Sequence, residues 1–279
     1  MLKYRIISFP LLLALLAGIF FWTEGGPWLF AIAAAVLITT GLYELGKLAF
    51  AAGLPNSPLS LGIAGFISVL LLLTPYHIRV VPLREGMILF LLFLLFCFWL
   101  AVLGRRVDGA KKCAATFGLF FFGWIPLIML ALIYRHVSVL AFAFVVLTTK
   151  AMDTGGYIFG NLTAKLPWGN HKIAPSISPG KSVEGFLGGL LLSLLVGWLF
   201  CSCETLHLWK PLPTMLAAGI FSIGSFLGDL TESSLKRAAE VKDSGKWLPG
   251  MGGTLDLIDS FLYNGMLFWL LLPFLKMVK

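Results

Sequence analysis

Asp229 with Glu232, and Asp256 with Asp259, form two acidic pairs at i, i+3 spacing, linked through a segment, 232–255, that carries Lys236, Arg237, Lys242, Asp243 and Lys246. Carboxylates drawn together at the ends of two helices repel unless a cation or proton intervenes, and hard oxygen ligands beside lysines suit Mg²⁺. Gly245, Gly250, Gly252 and Gly253 would let backbone N–H groups wrap a polyanion. The same charges could instead neutralise one another in salt bridges with Lys236, Arg237, Lys242 and Lys246, and the pattern leaves both readings open.

A second cluster is Ser178, Pro179, Gly180, Lys181 and Ser182, just before an apolar run. A helix N-terminus, two hydroxyls and an ammonium would meet there, as phosphate binding requires. Gly180, Lys181 and Ser182 match the end of a GxxxxGKS loop, but Pro175 stands where its first glycine belongs and no strand is expected before it. Ser178 or Ser182 is expected to cap the helix, with Glu184 supporting its first turn. A third cluster, Lys150, Asp153, Thr154 and Tyr157, lies along one helix face. It is either an ion pair that locks packing or the lining of a substrate cavity, the latter aided by Gly155, Gly156 and Gly160.

These residues need elements to hold them, and the composition says which kind. The 279 residues are 59% hydrophobic and 12% charged, with a mean hydropathy of +0.94. Such a chain lacks the polar surface of a soluble globule. Its apolar runs lack the alternation of a β-barrel, so the expected fold is all-α and polytopic. Runs of membrane-crossing length predict about nine spans, near 5–22, 27–50, 59–74, 86–103, 113–134, 137–160, 182–203, 211–231 and 256–277, the third of them short. Residues 1–22 imitate a signal peptide but read as a retained helix, because bulky residues from Phe20 to Glu24 follow the run.

With nine spans, the side holding the N-terminus carries 14 Lys and Arg and the opposite side six, with Lys150 inside a span. That asymmetry puts the N-terminus and two loops, 161–181 and 232–255, in the cytoplasm. The net charge of +8 suits acidic substrates, although much of it is topological signal. The chain therefore divides into scaffold helices over 1–136 and a catalytic region over 137–279, whose polar cavity faces the cytoplasm. Glu44 is the main charged exception in the scaffold and is expected to pair locally with Lys47. Cys97, Cys113, Cys201 and Cys203 fit neither a disulfide framework nor a paired zinc site.

Ser233, Leu235, Lys236, Arg237, Lys242, Asp243, Gly245, Leu248, Pro249, Gly252, Gly253, Asp256 and Asp259 stand at the spacing of a known C-terminal signature. The chain here resembles the phosphatidate cytidylyltransferases, or CDP-diacylglycerol synthases, as do the stretches 153–157, 171–175 and 178–185. The resemblance implies that Asp229 and Asp256 hold Mg²⁺, with K⁺ beside it. It implies a CTP and phosphate pocket shaped by Ser178, Lys181, Lys236, Arg237, Lys242 and Asp243, with Ser182 and Asp153 beside it and Asp259 among the catalytic acids. CTP and phosphatidate are the implied partners, in a bacterial inner membrane; a second copy of the chain is a further candidate, and nucleic acid is not expected. Met251 and Leu257 replace the signature His and Arg, and Thr254 an aliphatic residue, so donors are lost at two positions. Three alternatives stay open: CTP-dependent chemistry on another lipid, an anionic-lipid transporter gated by Lys150 and Asp153, and a silent scaffold. The lack of inverted repeats argues against the transporter.

Overall fold

The computed structural model describes residues 14–73, 107–203, 206, 209–246 and 252–276. The expected span at 86–103, the start of the first span and Met251 lie outside them. In chain order the elements are α1 (Gly26–Ala51), α2 (Pro58–Leu73), α3 (Val107–His136), α4 (Val139–Thr163), β1 (Lys172–Ala174), β2 (Ser178–Ser182), α5 (Val183–Ser202), α6 (Pro211–Ala238), α7 (Leu255–Ile258), a 3₁₀ turn (Asp259–Phe261) and α8 (Asn264–Lys276). Residues 14–21 are also helical.

Six helical stretches among the described residues are long and apolar enough to cross a membrane: Gly26–Ala51, Lys111–His136, Val139–Thr163, Val183–Ser202, Pro211–Ala238 and Leu255–Leu275. Pro58–Leu70 is a shorter apolar helix, matching the short third run. Leu187, Leu191, Leu195 and Trp198 of α5 are exposed at i, i+4, i+8 and i+11, an apolar stripe suited to lipid.

Two expectations change. Segment 161–181 is not all loop: β1, a strand not expected before Pro175, pairs antiparallel with β2, aligning Lys172 with Ser182 and Ala174 with Ser178. Pro175 and Pro179 cannot supply the N–H groups a helix needs there, so the chain turns back as a hairpin. Segment 232–255 begins as helix, because α6 continues to Ala238. Hydropathy marks where the span becomes polar, but backbone hydrogen bonding continues past that point.

The chain forms two compact units, residues 1–125 with 238–258, and residues 126–237 with 259–279. In the first, α1 packs on α2, and the Trp124 indole donates to the Ser68 hydroxyl at 2.6 Å. In the second, α4 and α5 approach backbone to backbone. A Cβ at Gly155 would lie 2.8 Å from the Gly188 carbonyl oxygen, and one at Gly185 would lie 2.8 Å from that of Gly156. Lipid supplies little hydrophobic drive between helices, so this close packing holds the pair. Farther along the second unit, Phe144, Phe221 and Phe268 are fully buried; the rings of Phe144 and Phe221 lie 5.9 Å apart, and Phe268 stacks on Phe221.

Candidate active site

The hairpin delivers Lys181 to the start of α5. Ser182 caps that helix, its hydroxyl accepting from the Gly185 N–H at 3.1 Å. Glu184 stands in the first turn of α5, as expected, and also reaches back to His171, accepting from its backbone N–H at 3.0 Å and meeting Nδ1 at 2.7 Å. That contact ties the hairpin to the helix.

Lys181 Nζ lies 3.0 Å from Asp229 Oδ2, with its side chain 12% exposed and that of Asp229 39% exposed. It also donates to the Phe226 carbonyl at 3.3 Å and sits 4.8 Å from the centre of the Phe226 ring. Burial pulls the Lys181 ammonium below the usual lysine range, and the Asp229 carboxylate opposes that shift. A cavity of about 240 Å³ opens here, lined among others by Asp153, Tyr157, Ser178, Lys181, Ser182 and Asp229. Five of the expected site residues thus share one space.

Asp153 belongs to the cavity wall and to a packed network at once. Lys150 Nζ donates to Asp153 Oδ2 and to Ser260 Oγ, both at 2.9 Å. Ser225 donates to Asp153 Oδ1 at 2.9 Å, as Ser260 does to Oδ2. Asp259 is buried, within electrostatic reach of Asp229, Asp153 and Lys150. The ion pair and the cavity lining, posed as alternatives, therefore coexist. Ser225 and Ser260 are participants that sequence spacing could have suggested: Ser225 lies one turn before Asp229, and Ser260 follows Asp259.

Lys236 pairs with the buried Glu232 one turn earlier on α6. Arg237 Nε donates to the Ile177 carbonyl at 3.1 Å, holding the hairpin turn. Both residues steady the framework of the second unit.

Lys242, Asp243 and Asp256 belong to the first unit. A cavity of about 810 Å³ there is lined among others by Tyr43, Glu44, Lys47, Lys242, Asp243 and Lys246. Asp256 Oδ2 accepts from the Ser244 N–H and hydroxyl, both at 2.9 Å, and from the Gly253 N–H at 2.7 Å. Glu44, expected to pair with Lys47, instead accepts from Ser244 and Leu255, while Lys47 lies over the Tyr43 ring. The i+3 spacing pointed to a local pair, but Glu44 is buried and its partners lie 200 and 211 residues away in sequence.

No group of three or more His, Cys, Asp or Glu among the described residues forms a ready-made metal cage. Mg²⁺ does not demand one, since it keeps several waters and takes one or two carboxylates plus substrate phosphates. Asp229, with the Ser233 hydroxyl 3.3 Å from its Oδ1, offers the hard oxygens that such an ion prefers. Asp256, in the first unit, is a carboxylate whose Oδ2 is fixed by three donors.

The Cytidylyltransferase family model matches residues 3–275. Over 130 residues the chain is 48% identical to a phosphatidate cytidylyltransferase of Staphylococcus haemolyticus, covering 46% of this chain and 45% of that protein. A Staphylococcus epidermidis protein of the same name is 47% identical over 113 residues, 40% of each chain. One from Staphylococcus aureus is 45% identical over 130 residues, 46% of this chain and 45% of that protein. The chain thus spans less than half the length of these relatives.

Proposed function

The chain belongs to the cytidylyltransferase family, and on that premise we propose that it transfers the cytidylyl group of CTP to phosphatidate. A phosphate oxygen of the lipid bonds to the α-phosphorus of CTP, the bond from that phosphorus to the bridging oxygen breaks, and pyrophosphate leaves. The product is CDP-diacylglycerol, retained by the bilayer.

The observation that carries this reading is the Lys181 and Asp229 pair beside Ser178, at the end of an apolar helix. The lipid phosphate is already an anion, so the protein must align it and offset repulsion between two phosphates rather than activate it with a base. Lys181 is the group to do so: a largely buried ammonium whose present partner is a carboxylate that a phosphate can replace. Ser178 and Ser182 supply hydroxyls beside it, and Lys242 adds positive charge in the first unit. Mg²⁺, for which the resemblance implies Asp229 and Asp256 as ligands, would supply charge neutralisation for the triphosphate; K⁺ beside it rests on the same resemblance.

The 14-to-6 distribution of Lys and Arg supports a cytoplasmic N-terminus and cytoplasmic segments 161–181 and 232–255, in a bacterial inner membrane with about nine spans. The test is to incubate purified protein in detergent with Mg²⁺, phosphatidate and CTP labelled at the α- or the γ-phosphorus. Lipid labelled only from the α-position supports the proposal, and label from the γ-position identifies a lipid kinase instead.

A further inference from the structure

Glu44 lies in α1, well within an apolar helix, yet it is only 2% exposed. Its Oε2 accepts from the Ser244 hydroxyl at 3.1 Å and from the Leu255 N–H at 2.8 Å. Its Oε1 has no hydrogen-bond partner among the described residues and rests against Gly245, where a Cβ would lie 2.0 Å from it. A Cβ at Gly253 would lie 2.5 Å from Oε2 and 2.2 Å from Ser244 Oγ. The segment around Asp256 thus has glycine at both places where this carboxylate needs room.

Ser244 joins Glu44 to the acid that matters for the metal. Its hydroxyl is 2.9 Å from Asp256 Oδ2 and 3.1 Å from Glu44 Oε2, and one hydroxyl proton can be donated fully to only one of them. Positive charge arriving at Asp256 lowers that carboxylate's demand for the proton and turns Ser244 toward Glu44. A buried carboxylate with an unsatisfied oxygen opposes folding, and an apolar side chain would cost less. Its grip on two points of the 244–256 segment is what offsets that cost.

We propose that Glu44 is a positioning residue: through Ser244 and Leu255 it fixes the orientation in which Asp256 meets a divalent cation. The proposal rests on the reading of Asp256 as a metal ligand. It extends the working part of the protein into α1.

The test uses the full chain in detergent as wild type, Glu44→Gln and Ser244→Ala. Mn²⁺ binding is titrated by electron paramagnetic resonance, and hydrogen exchange is followed over 252–256 and over α4 and α5. Both variants are expected to lose Mn²⁺ affinity by about tenfold, the lower end of what removing a partner of a metal ligand does. Exchange should quicken over 252–256 and stay unchanged over α4 and α5. Ser244→Ala keeps the question answerable should Glu44→Gln fail to fold. Unchanged Mn²⁺ affinity alongside quickened exchange or a lower unfolding temperature would reduce Glu44 to a packing role and overturn the proposal. Wild-type protein that makes lipid-linked CMP without binding Mn²⁺ would overturn it alone. Loss of Mn²⁺ affinity in variants of a protein that makes no lipid-linked CMP would uphold it and overturn the proposed function instead.

Discussion

Asp229 on α6 is held by side chains, Lys181 at 3.0 Å and Ser233 at 3.3 Å. Asp256 on α7 is held largely by main chain, with the N–H groups of Ser244 and Gly253 at 2.9 and 2.7 Å and the Ser244 hydroxyl as a third donor. A long side chain can swing away when a phosphate arrives, whereas a backbone donor moves only if the chain does. The Asp229 region is therefore built to exchange partners and the Asp256 region to stay fixed. Two aspartates of similar sequence surroundings reach these opposite conditions because one is on a long helix and the other begins a short one after glycines.

The sharpest way to break this contrast is to neutralise each acid. Asp256→Asn removes the charge on which three donors converge as well as a proposed metal ligand, and should cut turnover by about 10³-fold, the upper range for losing one preorganised electrostatic group. Asp229→Asn should cut it by about 10²-fold. Initial rates of lipid-linked CMP formation compare them, and the reverse order would contradict the contrast. Lys181→Met comes next. It should raise the half-saturating concentration of CTP or phosphatidate by at least about tenfold, as expected for a lost charge-assisted phosphate contact; an unchanged value would move the phosphate elsewhere.

Packing sharpens the comparison at smaller magnitude. Gly245→Ala would put a Cβ 2.0 Å from a buried oxygen of Glu44, while Gly180 in β2 has nothing within 4 Å. Gly245→Ala should destabilise by about 1–3 kcal/mol, typical of overpacking, and Gly180→Ala by far less. Thermal unfolding measures both, and equal shifts would show that the Asp256 region is no more rigid than the hairpin. The smallest effect is expected from Met251→His with Leu257→Arg, which should be tolerated; loss of folding would show that these positions pack against apolar partners.

Much of this arrangement was legible in the sequence because membrane insertion writes itself into hydropathy. Runs expected at 27–50 and 182–203 are helices Gly26–Ala51 and Val183–Ser202. The clustering of Ser178, Lys181, Ser182 and Asp153 could be anticipated because adjacent elements carry them. What was not legible depends on other forces. The continuation of α6 through Arg237 follows backbone hydrogen bonding, with Lys236 and Glu232 paired across one turn. The hairpin follows proline chemistry in a segment where hydropathy is silent. Glu44 escaped because its partners, Ser244 and Leu255, are distant in the chain, and a nearby lysine offered an easier explanation.

The polar groups gathered at Lys181 and Asp229 are proposed to serve cytidylyl transfer to a lipid phosphate. The most direct measurement is the transfer of label from the α-phosphorus of CTP into phosphatidate by the purified chain with Mg²⁺, beside Asp229→Asn and Lys181→Met. Labelled lipid from the wild type, strongly reduced in both variants, is the expected result. Undiminished labelling in both variants would contradict the site, and no α-labelled lipid from a folded, CTP-binding wild type would contradict the reaction.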